Sequence, residues 1–188
     1  YLLALDSDTV LPMDALQTLV GTALHPLNRA VIKDGRVVSG SGIFAPRVGT
    51  GASCASSTRF TRLFAGDGGV SVYDVFVSEK YQDVFGSGTF CGKGLIDVNA
   101  MASLDPALFP RERILSHDIP EGELLHTAFV SDVEFTDSFP RSPAAYFSRQ
   151  QRWIRGDLQN TVYLGKTVGS GKNVTENPLT PLSKYKLL

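Results

Sequence analysis

The sequence predicts a mixed α/β fold, and three observations predict it. Residues 1–5 form an uninterrupted apolar run that ends in a polar cluster, which is typical of a buried strand. Residues 12–25 carry apolar side chains at helical spacing. Residues 130–135 form another strand pattern, ahead of a long helical pattern over residues 143–163. Strands that alternate with helices in this way favour a sheet covered by helices.

The first two elements follow from their apolar patterns. Residues 1–5 are apolar on both faces, as in a central strand of a parallel sheet. In the segment that follows, Leu16, Leu19 and Ala23 recur at intervals of three and four residues, and Pro26 ends the pattern. The chain is therefore expected to begin with a buried strand and an amphipathic helix.

The next segment combines a turn signal with a run of small residues. Residues 30–32 and 36–38 flank an Asp-Gly pair, which is a strong hairpin signal. Residues 40–69 are rich in Gly, Ser, Ala and Thr. We expect a loop-rich surface there, with one helix near residues 57–64.

The remaining elements are placed by flanking residues. Residues 70–77 favour a strand, and residues 95–98 favour either a strand or the start of a helix. Ser142-Pro143 supplies an N-cap and a first helical residue for the last helix. We expect one domain over residues 1–165 and a linker over residues 166–188.

The composition excludes several classes of protein. A chain of 188 residues with 43% hydrophobic and 20% charged residues is a folded domain and not a disordered segment. The formal net charge of -1 removes the basic field expected of a dedicated nucleic-acid binder. No apolar run approaches the roughly 18 residues of a membrane span. Cys54 and Cys91 form neither a metal motif nor a disulfide framework, which favours a reducing compartment.

Two carboxylates directly follow the first strand. Asp6 and Asp8 are two positions apart, so on an extended segment they point to the same side and can bind one Mg²⁺ or Mn²⁺. Ligands of open α/β sheets bind beyond the carboxyl ends of strands, where this pair lies. A solvated turn is the alternative.

A second acidic segment contains Ser116, Asp118 and Glu121 beside apolar residues. A partly buried carboxylate there can act as a general base on a hydroxyl group. The alternative is that Ser116 and Asp118 cap a helix, whose N-terminus favours acidic residues.

The last helix carries a basic and aromatic motif. Arg149, Arg152 and Trp153 lie three and four positions apart and share a helix face. Arginine binds phosphate oxygens through two donors, and tryptophan offers a flat surface on which a sugar or a base stacks. A solvated basic face around a core tryptophan is the alternative. In the string GTFCGKG, which starts at Gly88, the glycines either admit a ligand close to the backbone or form a turn.

Four short strings, taken in order along the chain, resemble motifs of the family 2 type inverting glycosyltransferases of the GT-A fold. They are DSD at Asp6, GTFCGKG at Gly88, SHDIPEGE at Ser116 and RQQRW at Arg149. The strings YQDVFGSGTFCGKGLIDVNA, ILSHDIPEGELL and RQQRWIRGD resemble most the glycosyltransferase domain of cyclic β-1,2-glucan synthases, glycosyltransferase family 84. The resemblance implies a GT-A-like fold, which is a Rossmann-like mixed sheet flanked by helices, with this chain as its C-terminal part.

The resemblance also implies a reaction, in which glucose passes from UDP-glucose to a growing β-1,2-glucan chain with inversion at the anomeric carbon. Asp118 would be the catalytic base. The cofactor would be Mg or Mn, held by Asp6 and Asp8, with Asp8 as the principal ligand. The remaining roles implied are donor and pyrophosphate binding by Arg149, Arg152 and Trp153, and acceptor binding by Phe90, Cys91, Gly92 and Trp153.

The resemblance further implies partners and a location. The chain would be a soluble part of a larger membrane-bound synthase on the cytoplasmic face of a bacterial inner membrane, with residues 166–188 leading toward a membrane segment. The implied ligands are a nucleotide-sugar donor and a glucan acceptor, and no nucleic acid is expected.

The residues do not identify the donor sugar, so a transferase of the same kind that moves a different sugar stays open. Two other functions also stay open at this point. Residues 5–10 also fit the DxDxT motif of haloacid-dehalogenase-type phosphatases, in which Asp6 would attack phosphorus. An inactive domain that binds sugar without turning it over is the second alternative.

Overall fold

A computed structural model describes residues 1–34, 36–65, 80–110, 114 and 116–187. The described strands are β1 (Leu2–Ala4), β2 (Val31–Lys33), β3 (Arg36–Ser39), β4 (Ile43–Thr50), β5 (Gly94–Ile96), β6 (Thr127–Asp137), β7 (Thr167–Ser170) and β8 (Asn173–Glu176). The described α-helices are α1 (Ala15–Leu24), α2 (Ala52–Ala55), α3 (Arg59–Phe64), α4 (Lys80–Phe85), α5 (Val98–Ala102), α6 (Asp118–Leu125), α7 (Pro143–Gln159) and α8 (Pro181–Lys186). Short 3-10 helices cover Pro26–Asn28, Pro106–Leu108 and Asn160–Leu164.

The central sheet has four strands in the order β1-β5-β4-β6. β4 and β6 are parallel, whereas β5 runs antiparallel to both β1 and β4. This mixed sheet with flanking helices confirms the predicted α/β class and is compatible with a Rossmann-like fold. The prediction that residues 1–5 form a central parallel strand is wrong, because β1 is an edge strand paired antiparallel with β5 and Leu2 is 57% exposed.

The strand β4 corrects the expectation of a loop-rich surface over residues 40–69. It lies between β5 and β6, and its side chains alternate between the two cores of the domain, with Ile43 in one and Phe44 in the other. Pro46 lies where the register with β6 shifts, which is where a strand tolerates a proline. The small residues and the proline of this segment are typical of loops, so the sequence pattern does not indicate the buried strand.

Most of the other predicted elements are confirmed. α1 lies within the predicted residues 12–25, β2 and β3 form the predicted hairpin, and α3 matches the helix expected near residues 57–64. Residues 95–98 contain both expected alternatives, since β5 ends at Ile96 and α5 starts at Val98. Ser142 caps α7 by accepting a hydrogen bond from the Ala145 N–H at 3.3 Å, as predicted. The strand expected over residues 70–77 lies outside the described residues.

The C-terminal segment has more structure than the expected linker. It forms the hairpin β7–β8 and helix α8, and its Val168 and Leu179 are buried in the core around Tyr163. The side-chain amide of Asn177 donates to the carbonyl oxygens of Tyr163 (2.5 Å) and Gly165 (2.9 Å). The division at residue 165 stays a prediction. Among the described helices, none has the length and apolarity needed to cross a membrane.

Two glycines allow close packing in and next to α6. A Cβ at Gly156 of α7 would lie 2.9 Å from the Cβ of Ser116, and a Cβ at Gly122 of α6 would lie 2.9 Å from that of Phe90. Such distances are shorter than real Cβ contacts, and the atoms approached are themselves fixed by the backbone. The positions of α6, α7 and the segment around Phe90 therefore depend on one another.

We predict that Gly156→Ala lowers the free energy of unfolding by about 1–3 kcal/mol, because overpacking forces α7 away from Ser116. The matched control is Gly21→Ala in α1, where no atom lies within 4 Å of the added Cβ and alanine favours the helix by about 0.5–1 kcal/mol. Urea denaturation of both variants measures the difference. Equal stability of the two variants would contradict the packing described here.

A second prediction concerns Tyr163, which is fully buried and donates from its hydroxyl to the Leu108 carbonyl at 2.7 Å. Tyr163→Phe leaves that carbonyl without its donor and should cost about 1–3 kcal/mol of unfolding free energy. Tyr185→Phe is the control, since Tyr185 is 69% exposed. Loss of its hydroxyl group should change the free energy of unfolding by less than about 0.5 kcal/mol. A Tyr163→Phe variant as stable as the control would refute this role.

Candidate active site

Two neighbouring cavities contain the site residues predicted from the sequence. The first, here the Asp118 cavity, has a volume of about 430 Å³. The second, the Asp8 cavity, has a volume of about 510 Å³, and Arg152 lines both. The predicted residues in the Asp118 cavity are Asp6, Phe90, Cys91, Gly92, Asp118, Arg152 and Trp153. Those in the Asp8 cavity are Asp8, Arg149 and Arg152.

Asp118 is the first residue of α6 and is partly buried in its cavity. Gly92 lies directly against its carboxylate, because a Cβ on Gly92 would be only 3.1 Å from Oδ2. The φ angle of Gly92 is +83°, in the region that favours glycine. This glycine therefore leaves the Asp118 carboxylate accessible from the cavity.

α6 fits the alternative of helix capping only in part, because no side chain caps the helix but acidic residues occupy its first turn. The residue at the N-cap position is His117, and it makes no side-chain capping bond. Asp118 lies one position later, within the first turn, where the helix dipole favours an acidic side chain. Asp118 thus both begins α6 and lines the cavity.

Burial raises the pKa of the Asp118 carboxyl above its ordinary value. The positive charges of Lys93 and His117 act in the opposite direction, while Asp6 and Asp157 add to the rise. A carboxylate with a raised pKa binds a proton more strongly, so the environment of Asp118 increases its strength as a base.

Lys93 is a residue of this site that sequence reasoning missed. Its side chain is buried, and Nζ lies 2.7 Å from Oδ2 of Asp6 and 2.9 Å from Oδ2 of Asp137. Burial alone would lower the pKa of Lys93, but hydrogen bonds with the two carboxylates outweigh it and raise that pKa. The available signal was a lysine between two glycines of the GTFCGKG string.

Asp157 is a second missed residue. It lines the Asp118 cavity one helical turn beyond Trp153, and burial raises the pKa of its carboxyl. The spacing of four residues on one helix was the signal that could have placed it beside Trp153. The cavity thus contains three carboxylates, of Asp6, Asp118 and Asp157.

The Asp8 cavity combines an acidic residue with two guanidinium groups. The guanidinium carbon of Arg149 lies 4.7 Å from the ring centroid of Trp153 and 5.3 Å from that of Phe139. Burial lowers the pKa of Arg149, and nearby Asp137 and Asp8 oppose this shift. Among the described residues, the buried Nε of Arg149 has no hydrogen-bond partner. Arg149 is held between aromatic rings, and Trp153 is only partly buried, so neither residue fits a solvated basic face around a core tryptophan.

The residues Asp6 and Asp8 do not lie on an extended segment as expected. A turn joins them, in which the Thr9 N–H donates to the Asp6 carbonyl at 3.2 Å, and their side chains line different cavities. No cluster of three or more His, Cys, Asp or Glu that could hold a metal occurs among the described residues. One or two carboxylates together with substrate phosphates are nevertheless a common ligand set for Mg²⁺, so the residues present fit a metal that binds with a diphosphate.

Comparison with known proteins identifies one curated relative. No family profile matches the chain. The chain is 39% identical over 190 residues to cyclic beta-(1,2)-glucan synthase NdvB of Rhizobium meliloti (strain 1021). The match covers 100% of this chain and 6% of that protein. The chain is therefore homologous to a segment of a cyclic β-(1,2)-glucan synthase.

Proposed function

We propose that the chain is the acceptor- and metal-binding part of an inverting glycosyltransferase, which transfers glucose from UDP-glucose to a growing β-1,2-glucan. The observation that carries the proposal is the convergence of Asp118, Arg152 and Trp153, from two helices, on one cavity. The relative is a cyclic β-(1,2)-glucan synthase, which supports the same chemistry.

Asp118 acts as the base in this proposal. It removes the proton from the attacking hydroxyl of the acceptor sugar, whose oxygen forms a bond to the anomeric carbon of glucose on the face opposite the diphosphate. The bond between that carbon and the diphosphate breaks, the electron pair leaves with UDP, and the configuration at the anomeric carbon inverts. The raised pKa of Asp118 favours acceptance of this proton.

Arg149 and Arg152 bind the diphosphate in the proposed donor site. Both arginines line the Asp8 cavity. The Nε of Arg149, which has no hydrogen-bond partner within the described part of the chain, offers a donor to a phosphate oxygen. Asp8 would be the principal ligand of Mg²⁺ or Mn²⁺ together with phosphate oxygens, with Asp6 as a second ligand from the adjoining cavity. Such a metal ion neutralises charge that develops on the leaving diphosphate.

The acceptor occupies the Asp118 cavity in the proposal. Trp153 provides the flat surface for a sugar ring, while Phe90, Cys91 and Gly92 form the adjoining wall. Arg152 lies between the two cavities and is thus close to both substrates. We further propose that the whole protein is a membrane-bound synthase of the bacterial inner membrane, with this part on the cytoplasmic side.

The decisive experiment measures sugar transfer from a panel of UDP-sugars, with Mg²⁺ or Mn²⁺, by the full-length protein that contains these residues. We expect UDP-glucose alone to be consumed. Binding of a glucan without consumption of any donor would instead indicate an inactive sugar-binding domain. Hydrolysis of phosphate esters that depends on Asp6 would indicate the phosphatase, which homology to a glucan synthase does not favour.

We predict that Asp118→Asn lowers the rate of transfer at least about 100-fold, because the amide cannot accept the proton, and leaves UDP affinity nearly unchanged. In the wild type, the rate should fall with decreasing pH as Asp118 is protonated. Because its pKa is raised, this acid limb should lie above the range of an ordinary carboxyl group. Asp132→Asn, which alters an exposed carboxylate of β6, is the control. Normal turnover by Asp118→Asn would eliminate Asp118 as the base.

We also predict that Asp8→Ala weakens metal-dependent UDP binding at least about tenfold, which corresponds to about 1.4 kcal/mol. The loss should shrink when metal is omitted, since Asp8 is proposed to act through the ion. Titration of UDP at low and high Mn²⁺ measures both effects, with Asp132→Ala as the control. Equal affinity of Asp8→Ala and wild type for UDP at high Mn²⁺ would remove Asp8 from the donor site.

A further inference from the structure

Lys93 is a buried cation that the proposed reaction does not yet use. Only 5% of the residue is exposed, and a buried ammonium group is tolerated only where charged and hydrogen-bonding partners compensate for lost hydration. Its two partners, the carboxylates of Asp6 and Asp137, come from segments of the chain far apart in sequence.

The ammonium group of Lys93 joins three parts of the molecule. Lys93 directly follows Gly92 in the wall of the Asp118 cavity, and Asp6 belongs to the DSD motif. Asp137 is the last residue of β6, and its second oxygen accepts a hydrogen bond from Oγ1 of Thr9 at 2.7 Å. The proposed acceptor wall, the proposed donor motif and the end of β6 are thus held together through one ammonium group.

The charge of Lys93 also acts on the cavity. Its positive charge lowers the pKa of Asp118, against the effect of burial. Charged and titratable groups around Asp118 come from four parts of the chain, and they are Asp6, Lys93, His117, Glu121, Arg152 and Asp157. Of the three acidic residues in this list, Asp6 and Asp157 line the cavity together with Asp118. The positive charge of Lys93 therefore offsets part of the negative charge of three neighbouring carboxylates.

We propose that Lys93 is a positioning residue, whose ammonium group fixes Asp6 and the Gly92 wall relative to Asp118 so that donor and acceptor meet in register. This inference rests on the proposed glycosyl transfer. It differs from a purely structural role, because it predicts that correctly folded protein without the ammonium group still binds UDP but transfers sugar slowly.

The test compares Lys93→Met and Lys93→Arg in the full-length protein, with rates expressed per UDP-binding site. The matched control is Lys186→Met, which removes another buried lysine, paired with Glu123 at 3.0 Å, outside both cavities. UDP binding reports the folded fraction, so loss of protein and loss of turnover are separated.

We expect Lys93→Met to lower the rate per site at least about tenfold and to move the acid limb of the pH profile to higher pH. The direction follows because loss of a positive charge raises the pKa of Asp118, and transfer requires its ionised form. Lys93→Arg should restore part of the rate and keep the limb near its wild-type position. Lys186→Met should keep both the rate per site and the limb.

Each of three results would overturn the inference. They are a wild-type transfer rate per site in Lys93→Met, a rate in Lys93→Arg no higher than that in Lys93→Met, and a loss of rate in Lys186→Met equal to that in Lys93→Met. If Lys93→Met does not bind UDP, Asp137→Asn is measured instead, because it weakens the ion pair with Lys93 while the side chain keeps nearly the same shape. A wild-type rate per site in Asp137→Asn would then overturn it. Failure of the proposed function is a separate outcome, in which the wild type transfers no sugar or Asp118→Asn transfers it normally.

Discussion

The contact between the Lys93 ammonium group and the carboxylates of Asp6 and Asp137 is the constraint on which the site depends. A buried lysine without partners would be strongly destabilising, so the three segments that supply these groups must stay together. Those segments are the turn after β1, the end of β6 and the glycine-rich stretch before β5. This interaction between distant segments therefore links the positions of the two cavities to the sheet.

Much of the fold could be predicted because single segments carry the signals. The amphipathic pattern of α1, the Asp-Gly hairpin and the Ser142 cap of α7 are local, and the structure confirms them. β4 could not be predicted, because it is buried by the strands on either side of it. The local sequence of β4, which contains glycine and proline, gives no sign of those neighbours. β1 was misplaced for the related reason that an apolar run does not reveal the direction of its partner strand.

The site shows the same division between local and distant information. The motifs on α6 and α7 meet at one cavity, and each is defined by spacing that is local in the sequence. The Asp6–Asp8 pair was expected to share one face, but a turn between them directs the side chains to different cavities. Lys93 and Asp137 escaped sequence reasoning because their pairing spans 44 positions and depends on the folded sheet.

The location of the DSD turn follows from sheet topology. β1 and β4 are both antiparallel to β5, so β1 runs in the same direction as β4 and β6. Val10 forms an isolated bridge to Thr136, and Thr9 binds Asp137, so the turn lies beside the carboxyl end of β6. β6 is parallel to β4, and ligands of such sheets bind beyond the carboxyl ends of parallel strands. The expected rule therefore applies to the edge of the sheet toward which β1, β4 and β6 all run. In the proposed reaction the donor then approaches along the end of β6, while α6 and α7 present Asp118 and Trp153 from the adjacent side.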